Sequence, residues 1–112
     1  PDKFLSIAQI ESKEAVKNIQ SMAACHAVDA FLIGPNDLSH SLGENGNTAA
    51  PLVNAAIAQV IGVLQKHDRI WGIPANLETR MKYKEQGASF LYSSMTQIIQ
   101  SGFKPYLFKG SL

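Results

Sequence analysis

Several things are scarce in this chain, and each scarcity removes a class of function. One cysteine, Cys25, stands in 112 residues, so no internal disulfide can form and a reducing, cytoplasmic setting is expected. No uninterrupted apolar run reaches the roughly 18 residues of a membrane span, and no charged-then-apolar leader opens the chain. The 10 basic and 9 acidic residues are dispersed, for a net charge of +1. Without a basic run there is no footprint for a nucleic acid or an anionic membrane. Charged residues are 17% of the chain against 46% apolar, which is globular composition rather than the balance that keeps a segment disordered. No repeat and no low-complexity segment is present.

What is present is an alternation of strand-like and helical segments, the pattern of successive βα units and a parallel sheet. Strands are expected at Phe4 to Ile10, Ala30 to Ile33, Ile70 to Ile73 (ended by Pro74) and Phe90 to Tyr92. The first helix spans Lys13 to Ala24 with Ser12 as N-cap. A second runs from Pro51 to Lys66 with Leu52, Ala56, Val60, Val63 and Leu64 on its apolar face. A third covers Leu77 to Gln86, stopped by Gly87, and a fourth Met95 to Ser101, stopped by Gly102 and preceded by Ser93-Ser94 as its cap. Between the second strand and Pro51, Gly34-Pro35-Asn36-Asp37 reads as a turn and Ser39 to Ala50 as the longest loop. The tail after Phe103 is apolar enough to dock but has no period.

Four βα units make either a small open sheet or half of an eight-stranded α/β barrel, which takes roughly 250 residues when closed. With Pro1 in place of a methionine and an interior-looking strand at the start, an N-terminal part is expected to be missing. Residues 1–112 would then be a single partial domain.

Alternation along the first strand puts Gln9 and Glu11 on one face with Leu5 and Ile7. Carboxylates at the C-terminal ends of parallel strands sit where α/β folds hold ligands. Glu11 taken alone reads as an acid beside a helix start, and Asp37 alone as a turn aspartate. Together they converge at the same end of neighbouring strands. Two such carboxylates repel and raise each other's pKa unless a hard divalent cation, which takes oxygen ligands, neutralises both.

Gln9-Ile10-Glu11-Ser12, followed by Val28 through Ser39 with its Gly34-Pro35-Asn36-Asp37-Leu38 core and by Ser41-Leu42-Gly43, resembles the paired signature of the HpcH/HpaI aldolases. Gly72-Ile73-Pro74-Ala75 is similar to that family's seventh-strand segment, and a weaker likeness runs from Gly87 to Tyr92. The resemblance implies the C-terminal half of a (β/α)8 barrel. It implies further that Glu11 and Asp37 ligate a divalent metal (Mg²⁺, Mn²⁺ or Co²⁺), that Gln9 contacts a bound 2-oxoacid, and that the Asn36 and Asp37 amides hold its carboxylate. The implied reaction is metal-dependent cleavage or formation of a 4-hydroxy-2-oxoacid through a pyruvate enolate, with an aldehyde as the other product. Ala30 stands where the family often has glycine, and His26-Ala27 where a Pro-Gly pair is common.

The family's catalytic histidine, its acidic partner and its enolate-steadying arginine belong to the other half of the barrel, and no segment here matches them. No catalytic residue is therefore assigned within the chain, which alone should be inactive and should pair with an N-terminal half-barrel or with copies of itself. His26 and His67 read as surface residues at the far end of the barrel, and His40, three residues after Asp37, as an exposed loop side chain. Cys25 reads as a buried structural thiol. Two other readings stand beside the aldolase: a citrate lyase-type acyl-CoA lyase using similar carboxylates, and a non-catalytic half-barrel serving as an interaction module.

Overall fold

Short β-branched and aromatic runs form four strands, β1 (Ile7–Ile10), β2 (Ala30–Ile33), β3 (Ile70–Pro74) and β4 (Phe90–Tyr92), in a computed structural model that describes residues 4–106. They lie side by side in chain order, every pair parallel. Each crossover is helical: α1 (Lys13–Lys17) and α2 (Ile19–Ala23), then α3 (Pro35–Ser41) and α4 (Pro51–Lys66), then α5 (Arg80–Glu85). After β4 come α6 (Met95–Phe103) and a 3₁₀ turn at Lys104–Tyr106. Parallel strands that advance one position per βα unit are the arrangement of a (β/α)8 barrel, here four units of it.

Register assigns the two faces. Ala8, Phe31 and Trp71 align, as do Ile10 and Ile33, and Ile73 lies two residues on from Trp71 on the same face; these side chains meet the helices in a core completed by Val16, Ile19, Leu38, Val53, Val60 and Leu64. The opposite face, which lines the inside of a barrel, carries Ile7, Gln9, Leu32, Ile70, Gly72 and Phe90. Ile7 and Ile70 on it are 46% and 52% exposed, because four strands do not close around them.

Several elements differ from expectation. The first strand starts at Ile7 rather than Phe4; before it, Ser6 is tied by its N–H to the Asp29 carboxylate at 2.8 Å, while Phe4 and Leu5 are exposed. The first helix is broken at Asn18, whose carbonyl accepts both the Ser21 hydroxyl at 2.9 Å and the Met22 N–H at 3.0 Å as the second segment begins. The expected Gly34-Pro35-Asn36-Asp37 turn is instead the start of α3, with Pro35 in the first turn. Fully buried Leu38 and Ser39 draw that segment onto the core, where the Ser39 hydroxyl is satisfied by the Asn36 carbonyl at 2.6 Å.

On α4 the buried stripe is Val53, Ala56, Ile57, Val60, Ile61, Val63 and Leu64, which contains the expected Ala56, Val60, Val63 and Leu64; Leu52, expected on the same face, is 51% exposed. α5 begins at Arg80 rather than Leu77, since Asn76 and Thr79 knot the preceding loop: the Asn76 side-chain oxygen accepts the Glu78 and Thr79 N–H groups, each at 2.8 Å. Gly87 has φ +96, the left-handed position after a helix that favours glycine. α6 passes through Gly102 to Phe103. The docking expected of the tail beyond residue 106 lies outside the described residues.

At the N-terminal end of the sheet, Arg69 donates to the carbonyls of Ala23 (2.6 Å), Cys25 (3.1 Å) and Val28 and lies over the Phe31 ring, 5.1 Å from its centroid. It caps the end of α2 and fixes the turn into β2. Cys25, in that turn, is exposed and not the buried thiol expected from its apolar neighbours. Among the described residues no helix is long and apolar enough to cross a membrane.

Candidate functional site

Glu11 is the first residue beyond β1, and Gly34 the first beyond β2. The ladder runs one bond past the strands, Gly34 N–H to the Ile10 carbonyl at 3.0 Å, which draws the two together. A Cβ added to Gly34 would stand 3.2 Å from Glu11 Cβ and 3.6 Å from Oε2, so the bare glycine backbone is the shelf on which the Glu11 side chain rests. The helix-capping role open to Glu11 is taken by its neighbour: the Ser12 hydroxyl accepts the Ala15 N–H at 3.1 Å. Glu11 is left half-buried at the mouth of the sheet.

Asp37 lies in the first turn of α3, exposed. The Leu38 N–H already closes the helical bond to the Gly34 carbonyl at 2.9 Å, so the Asn36 and Asp37 N–H groups belong to the first turn, whose donors have no partner inside a helix. The Asn36 side chain leans outward toward Gly46, where an added Cβ would meet its oxygen at 3.7 Å and His40 Nε2 at 3.5 Å. Gln9 is exposed on the inward face, in register with Leu32.

Tyr92 joins these pieces. It ends β4 and pairs with Pro74 of β3, yet its hydroxyl reaches the Ile33 carbonyl of β2 at 3.5 Å, crossing over β3. The crossing is possible because the C-terminal half of β3 presents Gly72 and Pro74 on that face, and the Phe90 ring already lies over Gly72. Burial pushes the Tyr92 phenol above its ordinary pKa, and the Asp37 and Glu11 carboxylates push it further. One phenol thus feels both carboxylates, and the two expected metal ligands share one end of adjacent strands.

The donor set decides which cation would suit. Among the described residues no group of three or more His, Cys, Asp and Glu side chains is placed to hold a metal, so a closed four-ligand zinc site is not built here. Two carboxylates with open surroundings suit a hard, oxygen-preferring divalent ion that keeps positions for substrate and water.

Other expected residues lie apart. His26 is exposed in the α2–β2 turn and His67 is half-buried between α4 and β3, its Nε2 3.4 Å from the Gln20 side-chain oxygen; both are at the opposite end of the sheet. His40 is exposed in the last turn of α3 rather than in a loop. Ser94 directly precedes α6, and its carbonyl accepts the Ile98 N–H at 3.1 Å. Tyr92 and Arg69 were not singled out by sequence, although alternation along Phe90-Leu91-Tyr92 turns Tyr92 inward at the ligand-bearing end.

Comparison with known proteins agrees with this geometry. Residues 2–104 match the HpcH/HpaI aldolase/citrate lyase family. A 5-keto-4-deoxy-D-glucarate aldolase from Klebsiella pneumoniae is 36% identical over 113 residues, an alignment covering 92% of this chain and 44% of that protein. The structure of an HpcH/HpaI aldolase/citrate lyase family protein from Burkholderia cenocepacia superposes with a TM-score of 0.82 at 28% identity, covering 91% of this chain and 40% of that one. An HpcH/HpaI aldolase from Desulfitobacterium hafniense gives 0.76 at 30% identity, over 97% and 45%. The chain spans less than half the length of each of these relatives.

Proposed function

The chain belongs to the HpcH/HpaI aldolase/citrate lyase family, and from that premise we propose that it supplies the metal and 2-oxoacid site of a divalent metal-dependent pyruvate aldolase. The observation that carries the reading is the Gly34 N–H to Ile10 carbonyl bond, with the Glu11 side chain against Gly34, which puts Glu11 and the start of α3 that bears Asp37 at the same C-terminal end of neighbouring strands. Glu11, held against Gly34, and Asp37, in the first turn of α3, are the ligands for Mg²⁺, Mn²⁺ or Co²⁺. When bound, such an ion polarises the 2-oxo group and lowers the cost of removing a proton from the adjacent methyl carbon.

The chain's own residues bind and orient. The Asn36 and Asp37 N–H groups, at the positive end of a helix, donate to the substrate carboxylate. Gln9, on the inward face below Glu11, donates to a substrate oxygen. The substrate class is a 4-hydroxy-2-oxoacid that yields pyruvate and an aldehyde. The general base comes from outside this chain, since none of its three histidines stands at the site, and a positioned acid or base contributes about 10²-fold to 10⁴-fold. Residues 1–112 alone are therefore expected to bind metal but turn over poorly. The exposed inward face calls for a partner, either the remaining barrel strands or further copies, in a cytoplasmic enzyme.

The citrate lyase-type reading draws on the same family description; the 36% identity to a named aldolase and the Gly34-Pro35-Asn36-Asp37-Leu38 segment favour the aldolase. A non-catalytic module would keep the metal and lack turnover even with the whole barrel present.

Mn²⁺ titration followed by electron paramagnetic resonance is the test. Asp37→Ala is expected to weaken Mn²⁺ binding by at least about 100-fold, beyond what losing an outer-shell partner costs, with the circular dichroism unchanged because Asp37 is exposed. Equal Mn²⁺ affinity in the variant would remove Asp37 from the ligand set and the metal site with it.

A further inference from the structure

The loop from α3 to α4 turns at Glu44-Asn45-Gly46-Asn47. The Asn47 N–H closes it on the Glu44 carbonyl at 2.9 Å, with φ +51 at Asn45 and +89 at Gly46, a tight turn that puts both central residues in the left-handed region and favours Asn-Gly. Asn45 is exposed, and among the described residues neither its side chain nor the Gly46 N–H has a hydrogen-bond partner. It is the one asparagine of the chain followed by glycine, whose missing Cβ leaves the backbone nitrogen open to approach. Every other asparagine is followed by a residue with a side chain, and Asn47 and Asn76 have their side-chain oxygens engaged by backbone N–H groups. His40 closes on the same turn: a Cβ on Gly46 would stand 3.5 Å from its Nε2. Imidazole is the side chain most used to move a proton near neutral pH.

We propose that Asn45-Gly46 is a self-modifying site: the Gly46 nitrogen attacks the Asn45 side-chain carbonyl carbon, His40 takes the proton, and the product weakens the hold of the first turn of α3 on a 2-oxoacid. As the new N–C bond forms, the bond to the side-chain nitrogen breaks, and ammonia leaves with the proton that His40 returns. No oxidant or reductant is needed. Water then opens the cyclic imide at either carbonyl, giving aspartate or, where the chain is rerouted through Cβ, isoaspartate. Both products add a negative charge, and isoaspartate also lengthens the turn that the Asn47 to Glu44 bond closes. Gly46 lies against the start of α3, where an added Cβ would stand 3.7 Å from the Asn36 side-chain oxygen. The charge therefore arrives close to the N–H groups assigned above to the substrate carboxylate, and it repels an anion held there. This last step rests on the 2-oxoacid reading; the modification itself does not.

The experiment holds the complete enzyme containing this chain in mildly alkaline buffer and follows its peptides by mass, with aspartate and isoaspartate separated. The parent protein is expected to gain the mass of an amide-to-acid exchange at Asn45, with isoaspartate present, and at no other asparagine over the same time. His40→Gln is expected to slow that gain by about tenfold or more, the exposed imidazole giving less than the full contribution of a positioned base. In urea, where His40 no longer stands beside Gly46, the parent and the variant are expected to react at equal rates. Asn45→Asp, which carries one of the two products, is expected to raise KM for pyruvate by about twofold or more with kcat held. No gain at Asn45, or equal rates with and without His40 in the folded protein, overturns the site, and an unchanged KM overturns its effect on the substrate. An unaltered enzyme that acts on no 2-oxoacid overturns the aldolase reading and the effect on KM together, while the mass gain still decides the modification.

Discussion

Gly72→Ala is the most demanding single change the sheet offers. The methyl group would stand 2.2, 2.3 and 2.5 Å from three ring atoms of Phe90, where contacts below 3.0 Å are essentially never found. Ordinary contact begins near 3.4 Å, so the ring must retreat by about 1 Å, and overpacking of this kind costs about 1–3 kcal/mol. The atoms in the way are the far end of a side chain, and Phe90 is only half-buried, which places the expected cost in the lower half of that range. The retreat has a second consequence, because Tyr92 crosses β3 just above Phe90 to reach Ile33. Gly72→Ala should therefore destabilise the fold by about 1–2 kcal/mol and displace the phenol from the carboxylates. Urea unfolding gives the first quantity, and near-ultraviolet circular dichroism of the tyrosines reports the second. Phe90→Ala made in the Gly72→Ala background should cost less than the sum of the two single changes, since the clash is gone. Strict additivity, or a Gly72→Ala protein as stable as the parent, would refute the packing argument.

Arg69→Ala should cost about 2–3 kcal/mol in urea unfolding, because three carbonyls at the α2–β2 turn lose a charged donor whose hydrogen bonds are worth about 1.5–3 kcal/mol; Arg69→Lys should recover little, lacking the fork that reaches all three. Tyr83 and Tyr92 have phenols raised above the ordinary value, so their contribution is full below about pH 10 and is lost as the pH rises through the folded-state values; a thermal melting series should show that alkaline loss reduced in Tyr92→Phe. A polypeptide of residues 1–112 should elute above its monomer mass in sizing with light scattering, since β1 and β4 are unpaired edges and such edges recruit other strands; a clean monomer would show that the inward face needs no cover.

The strands were legible because their residues are β-branched or aromatic and their period is short: β2 and β4 fall at the expected bounds, and β3 extends one residue into Pro74. Helix ends and faces were less so. Whether Gly34-Pro35-Asn36-Asp37 makes a turn or a helix start depends on the burial of Leu38 and Ser39, a tertiary fact absent from the tetrapeptide. That Val53 rather than Leu52 faces the core at the start of α4 is likewise set by the sheet it packs on, since the two are equally apolar. The position of Glu11 and Asp37 at one end of the sheet was legible because each follows a strand pattern, whereas the reach of Tyr92 over β3 to Ile33 is one that no local pattern encodes. Cys25 was misjudged because its neighbours are apolar, while its own turn is held at the surface by Arg69 through backbone carbonyls.

The sheet divides its labour between its two ends. At the N-terminal end, Arg69 ties α2, the turn and β2 into one unit through bonds that no substrate could touch. At the C-terminal end, Glu11 and Asp37 are held only through their backbones, by the Ile10–Gly34 bond and the first turn of α3, and their carboxylates remain available. A carboxylate locked by hydrogen bonds at both oxygens would have to break them to take a cation, so a ligand site is best built from side chains positioned by backbone and left unspent. For this reason Asp37→Ala should cost binding with little stability, while Arg69→Ala should cost stability while leaving the carboxylate geometry intact. The two variants measured together, Mn²⁺ affinity against urea midpoint, should fall on opposite axes, and an Arg69→Ala protein that lost metal in proportion to stability would show that the two ends are mechanically one.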